Sequence, residues 1–245
     1  MKHKLIILLL LTAFLTGLSS CFINLGESIS GNGNVKVEVR DVSDFNSIEV
    51  SNGLHVYITF GNAQSLEIEA DENLHDVIRT EVTGGVLKVY SEMNIRNSKA
   101  KNIRVTVPEL EEIEASAAAS VRCENTLKTN MLSISVSSAA DVKVEVKAKE
   151  IEMDASSSGS IDIRGEADDL DVNVSSAGSI DAYDLTVKNC RVSASSAGSS
   201  KLRVTEELSA EASSAGSIHY KGEPRIVKLD SSSGGSIKGH DISSN

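Results

Sequence analysis

The sequence predicts an all-β fold: a single-stranded parallel β-helix, or β-solenoid, with coils of about 19 residues and an irregular N-terminal capping region. Three observations carry this prediction. A Ser-Ser-Ala-Gly-Ser-Ile motif recurs with first serines at 116, 137, 156, 175, 195, 213 and 232, so the spacings are 21, 19, 19, 20, 18 and 19. Strict period-two alternation flanks each copy, as in Leu170, Val172 and Val174 against Asp171, Asn173 and Ser175. The period is also too short for paired-helix repeats, and the Leu/Asn signature of leucine-rich repeats is missing.

In chain order, residues 1–20 read as a lipoprotein signal peptide. Lys2 and Lys4 form a basic start, and Leu5 to Leu18 is an apolar run of about 14 residues, short of the roughly 20 a spanning helix needs. Leu18-Ser19-Ser20-Cys21 resembles a lipobox, which makes Cys21 the expected lipidation site and anchors the chain to a membrane without spanning it. Phe22 stands where an Asp would retain a lipoprotein in the inner membrane, so an outer-membrane, lipid-anchored location is expected. Phe22-Ile23-Asn24-Leu25 carries no acidic export tract, and both the periplasmic and the cell-surface face stay open. Residues 21–34 form a linker after the lipidated Cys.

Residues 35–245 are expected to form one β-solenoid domain, with irregular coils over 35–110 and regular Ser/Ala/Gly repeats over 111–245. In the irregular third, Val35-Val37-Val39, Ile48-Val50, Val56-Ile58, Leu66-Ile68, Val86 to Tyr90 and Ile103 to Val107 alternate as strands. Asn52-Gly53, Gly61-Asn62 and Gly84-Gly85 are turn signals, and Leu74 to Thr80 suits a short helical turn. This third is read as longer, imperfect coils that cap the stack, because a solenoid must cover its end.

Aligning the repeats predicts core columns. Leu132, Ile151, Leu170, Cys190, Leu208 and Val227 form one; Ile134, Met153, Val172, Val192, Ala210 and Leu229 form the next. Val136, Ala155, Val174, Ala194 and Ala212 form a third, and Val121, Val142, Ile161, Ile180, Ile218 and Ile237 a fourth beyond the turn. At the corner, Gly of the Ala-Gly pair is expected to supply the positive φ. The corner serines are expected to bond neighbouring backbone and their counterparts in adjacent coils. Cys123 and Cys190 fall in different columns about three rungs apart, roughly 14 Å along the axis, too far for a disulfide.

Removing Lys2 and Lys4 leaves 22 basic residues against 35 acidic ones, a net −13. Such a surface disfavours nucleic acid and anionic headgroups. With aromatics at 3% and no Trp, stacking platforms for sugars are scarce. The one carboxylate pair with enzyme-like spacing is Asp162 above Asp181, a weak metal or catalytic candidate in the column Arg122, Lys143, Asp162, Asp181, Lys201, His219, Lys238. Opposite charges flank it, as a solvated ladder would arrange. Asp168-Asp169 and Asp171 lack the Gly-x-Asp pattern of calcium solenoids, and His55, His75, His219 and His240 show no ligand spacing. No catalytic residue, metal, disulfide or cofactor is therefore expected.

Phe45-x-x-Ile48-x-Val50-x-x-Gly53-x-x-Val56-x-Ile58, then Ala70-Asp71-Glu72-Asn73-Leu74, Gly85-x-Leu87 and the Ser/Gly-rich rungs resemble the auto-transporter adhesin head (GIN) domain family. The resemblance covers essentially the whole mature chain and implies an exported β-helix of the Bacteroidota type without the catalytic residues of pectin lyases. The rungs here are richer in Ser-Ser-Ala than the family's Gly-rich turns. The expected function is a non-enzymatic envelope lipoprotein presenting a rigid surface for adhesion or for contact with a protein or glycan. The alternatives are a carbohydrate-active lyase- or hydrolase-like β-helix, for which Tyr57, Tyr90, Tyr183 and Tyr220 are too dispersed in sequence to show a groove, and a periplasmic structural protein. Self-association is compatible with an open rung near Ile237.

Overall fold

The computed structural model describes residues 27–240; the signal peptide, Cys21 and the first residues of the linker, through 26, lie outside the described residues. The chain coils into two parallel ladders, here sheet A before each corner and sheet B after it. In sheet A, 86–89 stacks on 47–50, which stacks on 112–115, followed by 131–136, 150–155, 169–174, 189–194, 207–212 and 226–231. In sheet B, 102–107 stacks on 55–60, then 120–123, 141–147, 160–166, 179–187, 199–203, 217–221 and 236–240.

The predicted columns are the observed register. Leu132, Ile151, Leu170, Cys190, Leu208 and Val227 are successive partners, as are Val121, Val142, Ile161 and Ile180. Leu132, Ile151 and Leu208 are at most 1% exposed, so each contributes about 1.5–3 kcal/mol of burial. Ser200 occupies the fourth column between Ile180 and Ile218, fully buried, with an Oγ that has no hydrogen-bond partner. In the last described coil, Val227 and Leu229 are 42% and 49% exposed although they continue buried columns.

The corners depart from expectation in their chemistry. In Ser175-Ser176-Ala177-Gly178 the left-handed residues are Ser176 (φ 49°) and Ala177 (φ 60°), and Gly178 is not among them. Gly178 N–H donates to Ser175 C=O at 2.8 Å, closing a two-residue turn of the mirror-image kind. Each full repeat behaves alike, with paired positive φ at Ser157/Ser158, Ser196/Ala197 and Ser214/Ala215. Glycine is needed instead for close approach: a Cβ on Gly159, Gly178, Gly198, Gly216 or Gly235 would sit 2.2–2.6 Å from a carbonyl oxygen of the preceding coil. In the two N-terminal corners of the repeat region the same position is Ala119 and Ala140, both buried. Ser120 Oγ donates to its counterpart Asp141 in the next coil at 2.9 Å, but in the later corners the holding bonds are main-chain ones: Ala177 N–H donates to Ser196 C=O at 3.1 Å, and Ser175 N–H to Ala155 C=O at 3.0 Å. The second serine of each corner is exposed.

The N-terminal third is more than imperfect coils. Coil 47–60, the earliest in sequence, lies between coil 86–107 and coil 112–123. Antiparallel strands then cap the stack: Ile78–Thr83 on Val86–Ser91, Ser65–Asp71 on Lys101–Val107, and Val35–Val39 on Ser65–Asp71. The helical turn is Glu72–Leu74, slightly earlier than expected, and Ile78–Thr83 is strand. Asp71 pins the segment that leads into the cap. Its fully buried carboxylate accepts N–H bonds from Gly33 (2.9 Å), Ala100 (3.0 Å) and Lys99 (3.1 Å). Ser28–Ile29 adds a short parallel pairing with Asn94–Ile95.

Candidate functional site

Alternation along each strand leaves two flat outer faces, one per sheet, and these are the surfaces a partner meets. On sheet A one outer column reads Lys88, Glu49, Glu114, Ser135, Asp154, Asn173, Ser193, Glu211, Asp230, and its single basic residue, at the capped end, is paired with Glu49 at 2.5 Å. A neighbouring depression of about 320 Å³ is lined by Glu150, Asp169, Asp171 and Glu207, with Arg191 and Lys228. The acidic trio of one coil is answered by the next: Lys188 pairs with Asp168 at 2.5 Å, Asn189 bonds Asp169 at 2.9 Å, and Arg191 pairs with Asp171 at 3.3 Å. These carboxylates are spoken for as a cross-coil ladder and do not converge.

On sheet B, Asp162 and Asp181 are direct partners, as the register predicted. Each is about half exposed and bound to a lysine of its other neighbour, Lys143 to Asp162 at 2.6 Å and Lys201 to Asp181 at 2.9 Å. The hydrogen bond and charge of Asp181 hold the Lys201 ammonium above its usual range. The order Lys-Asp-Asp-Lys relieves repulsion between the two carboxylates, and each exposed pair contributes only about 0–1 kcal/mol. Among the described residues, no group of three or more His, Cys, Asp or Glu is placed to hold a metal ion.

Sequence reasoning missed the aromatic sites, because the residues that build them are far apart in the chain. Tyr57 lies beside Arg122 in the ladder, and the Arg104 guanidinium sits 5.3 Å from its ring centre. Tyr183, farther along the same sheet, has Lys221 at 4.8 Å and Lys201 at 5.7 Å. Beside Tyr57, residues 123–126 stand opposite only 144–145, a bulge between the pairings of 120–122 and 127–128. The bulge opens a notch of about 250 Å³ lined by Tyr57, Arg122, Lys143, Arg164, Glu124 and Glu145. A hydrogen bond from Thr126 and the Arg164 guanidinium keep the Glu145 carboxyl below its ordinary range. At the edge of this face, burial and then the Lys101 charge push the His55 imidazole down.

Both remaining cysteines are free thiols. Cys123 is at the notch in sheet B and Cys190 is in the core of sheet A. Burial pushes the Cys123 thiol up to about 12 and raises Cys190 as well, so neither is a nucleophile near neutrality. No helix among the described residues is long and apolar enough to cross a membrane.

Solved structures share this architecture. A "putative adhesin" from Bacteroides fragilis NCTC 9343 is 24% identical, with a TM-score of 0.82 over 86% of this chain and 100% of that one. A "putative lipid binding protein" from Parabacteroides distasonis ATCC 8503 is 26% identical, with a TM-score of 0.67 over 87% of this chain and 100% of that one. A "putative adhesin" from Parabacteroides merdae ATCC 43184 is 21% identical, with a TM-score of 0.71 over 87% and 99%. No curated protein matches the chain. A family model described as "Putative auto-transporter adhesin, head GIN domain" matches residues 44–224, most of the coiled region. By that match, together with the stacked coils it spans, the chain belongs to the auto-transporter adhesin head, GIN domain, family.

Proposed function

We propose that this protein is a non-enzymatic lipoprotein of the outer membrane, anchored through Cys21, which holds a rigid β-helical surface against a protein or glycan partner in adhesion. The observation that carries this reading is the outer face of sheet B. Tyr57, Arg122 and Lys143 are consecutive in one ladder, and Tyr183 lies on the same sheet four coils further on, each tyrosine flanked by cations. The main-chain ladder fixes Tyr57, Arg122 and Lys143 relative to one another, so little ordering entropy opposes contact there, while Tyr183 stands at a shift in register between its neighbouring coils. The pairing of Asp162 and Asp181 with separate lysines argues for a solvated surface rather than a hydrolytic pair.

Protease shaving of intact cells, with Cys21→Ala as the anchoring control, tests the reading. Loss of the protein from intact cells places the solenoid outside, where adhesion is available to it. Protection until the outer membrane is opened confines it to the periplasm and rules out adhesion to an external partner.

A further inference from the structure

Strand Val35–Val39 forms the free margin of the cap. Among the described residues it pairs on one side only, with Ser65–Asp71, and it lies outside residues 44–224 of the family match. Val37 and Val39 are 62% and 67% exposed, the two most exposed large apolar side chains among the described residues. A bare apolar edge of this kind templates pairing with another strand.

The backbone specifies which groups are available. Glu72 N–H donates to Asn34 C=O at 2.9 Å and Arg40 N–H to Leu66 C=O at 3.0 Å, so the even-numbered residues exchange bonds with the inner neighbour. In an antiparallel pair bonded and non-bonded positions alternate. The N–H and C=O groups of Val35, Val37 and Val39 therefore point to the open edge. The sequence of the strand, Val-Lys-Val-Glu-Val, reads as its own charge complement when reversed.

We propose that this strand is a self-recognition edge, where a second copy of the chain adds antiparallel with Val37 on the two-fold axis. Val37 then exchanges main-chain bonds with Val37 of the second copy, and Val35 with Val39. Lys36 falls directly opposite Glu38 and Glu38 opposite Lys36, on the face away from the valines. Shifting the register by one residue to either side places a valine opposite a charge at every position, so the central register is the preferred one. Within each protomer Lys36 already pairs with Glu72, and Glu38 with Arg40 at 2.6 Å, so the two chains together form a charge network across the joint. The valines lie on the same face as Glu67 and Glu69, their partners across the inner pairing, and the joint would make that outer face continuous between two protomers. This proposal goes beyond the adhesive role and does not depend on it. A single five-residue strand pair is small for a permanent interface, so the dimer is weak in dilute solution and favoured at high local concentration.

Disulfide trapping in the full chain, produced with its own signal and anchor in a bacterial envelope, tests the register. Val37→Cys brings two thiols together on the axis, whereas Val39→Cys places its two copies about four residues apart along the pair, despite greater exposure. After oxidation, a non-reducing gel is expected to show the Val37→Cys dimer about tenfold above that of Val39→Cys and of wild type, whose Cys123 and Cys190 are the background. In sedimentation of the detergent-solubilised full chain, wild type is expected to dimerise with rising concentration. Val37→Lys, with its circular dichroism unchanged, is expected to be monomeric, and Leu229→Lys, at the opposite end of the stack, to behave as wild type. Equal trapping at 37 and 39, trapping only to a different protein, or a dimer lost with Leu229→Lys and kept with Val37→Lys would each overturn the proposal.

Discussion

The corner glycines are the sharpest test of how the coils stack, because adjacent residues of one turn are predicted to respond in opposite directions. A Cβ placed on Gly178 would lie 2.4 Å from the Ala155 carbonyl oxygen, 2.7 Å from its carbon and 3.0 Å from Ser156 N. Ordinary contact requires the coils to part locally by roughly 1 Å, and that same carbonyl accepts the Ser175 amide at 3.0 Å. Parting by this much stretches the bond to about 4 Å, beyond hydrogen-bond range, whereas the corners that already carry Ala119 and Ala140 keep the equivalent bond at 2.9 Å. Overpacking of about 1–3 kcal/mol plus one weakened bond of about 0.5–1.5 kcal/mol gives a cost for Gly178→Ala of about 2–4 kcal/mol. For a domain of this size that is a fall in Tm of about 5–12 °C. Ala177→Gly, one residue earlier, relieves a left-handed alanine at about 1–2 kcal/mol and gives back about 0.5–1 kcal/mol of unfolded-chain entropy, for a net gain of about 0.5–1 kcal/mol. Ala140→Gly is the reciprocal control, since it removes a buried methyl and should cost about 1 kcal/mol. Urea and thermal unfolding of the purified chain followed by circular dichroism measure all three. If Gly178→Ala stays within about 0.5 kcal/mol of wild type, or Ala177→Gly is the more damaging change, close approach is not what the glycine supplies.

Ser200→Val should raise stability by about 1–2 kcal/mol, because it replaces an unpaired buried hydroxyl between Ile180 and Ile218, in an otherwise branched aliphatic column, with two methyl groups; a lower urea midpoint would show the site to be filled or bonded. Asp71→Ala should cost about 3 kcal/mol by leaving the amides of Gly33, Lys99 and Ala100 without an acceptor, and Asp71→Asn somewhat less. Burial alone would raise the Asp71 carboxyl, but those amide bonds hold it below its usual range. Its contribution is therefore complete above the unfolded value near pH 4 and fades as pH falls through the lower folded value, so wild type and Asp71→Asn should converge in acid unfolding only below about pH 4. Half-buried Cys123 and buried Cys190 should resist a thiol reagent at pH 8 in the native state and react fully in urea; rapid native labelling of Cys123 would contradict its raised thiol.

Much of this fold was legible because a solenoid repeats one decision many times. Period-two alternation sets which side chains point inward, and a fixed coil length makes every column follow from any one rung, so Leu170, Cys190 and Leu208 align as read. The conformation of the corner was not legible. Left-handed backbone is ordinarily a glycine signal, yet here Ser176 and Ala177 adopt it while Gly178 serves steric clearance between coils, a demand visible only once neighbours are placed. Nor does alternation record stacking order: Ile48, Leu87 and Ile113 are equally good rungs in any sequence, and only their pairing shows that the first lies between the others. The Tyr57–Arg104 contact was invisible for the same reason, being a cross-strand neighbour 47 positions away in the chain. The Asp162–Asp181 pair and its lysines were readable, because all four lie within the regular repeats.

The enclosure of coil 47–60 between coils 86–107 and 112–123 has a kinetic consequence. A stack laid down strictly in order would let each coil settle on a finished predecessor as the chain grows. Here the earliest coil has no partner until some 40 further residues have been delivered, and its second edge is closed only after about 65. Closing loops of that length is slow compared with forming one more rung, so the nucleus is the non-local step and the regular repeats propagate from it afterwards. Changes within 47–123 should therefore slow refolding, while equally destabilising changes in the later repeats should mainly hasten unfolding.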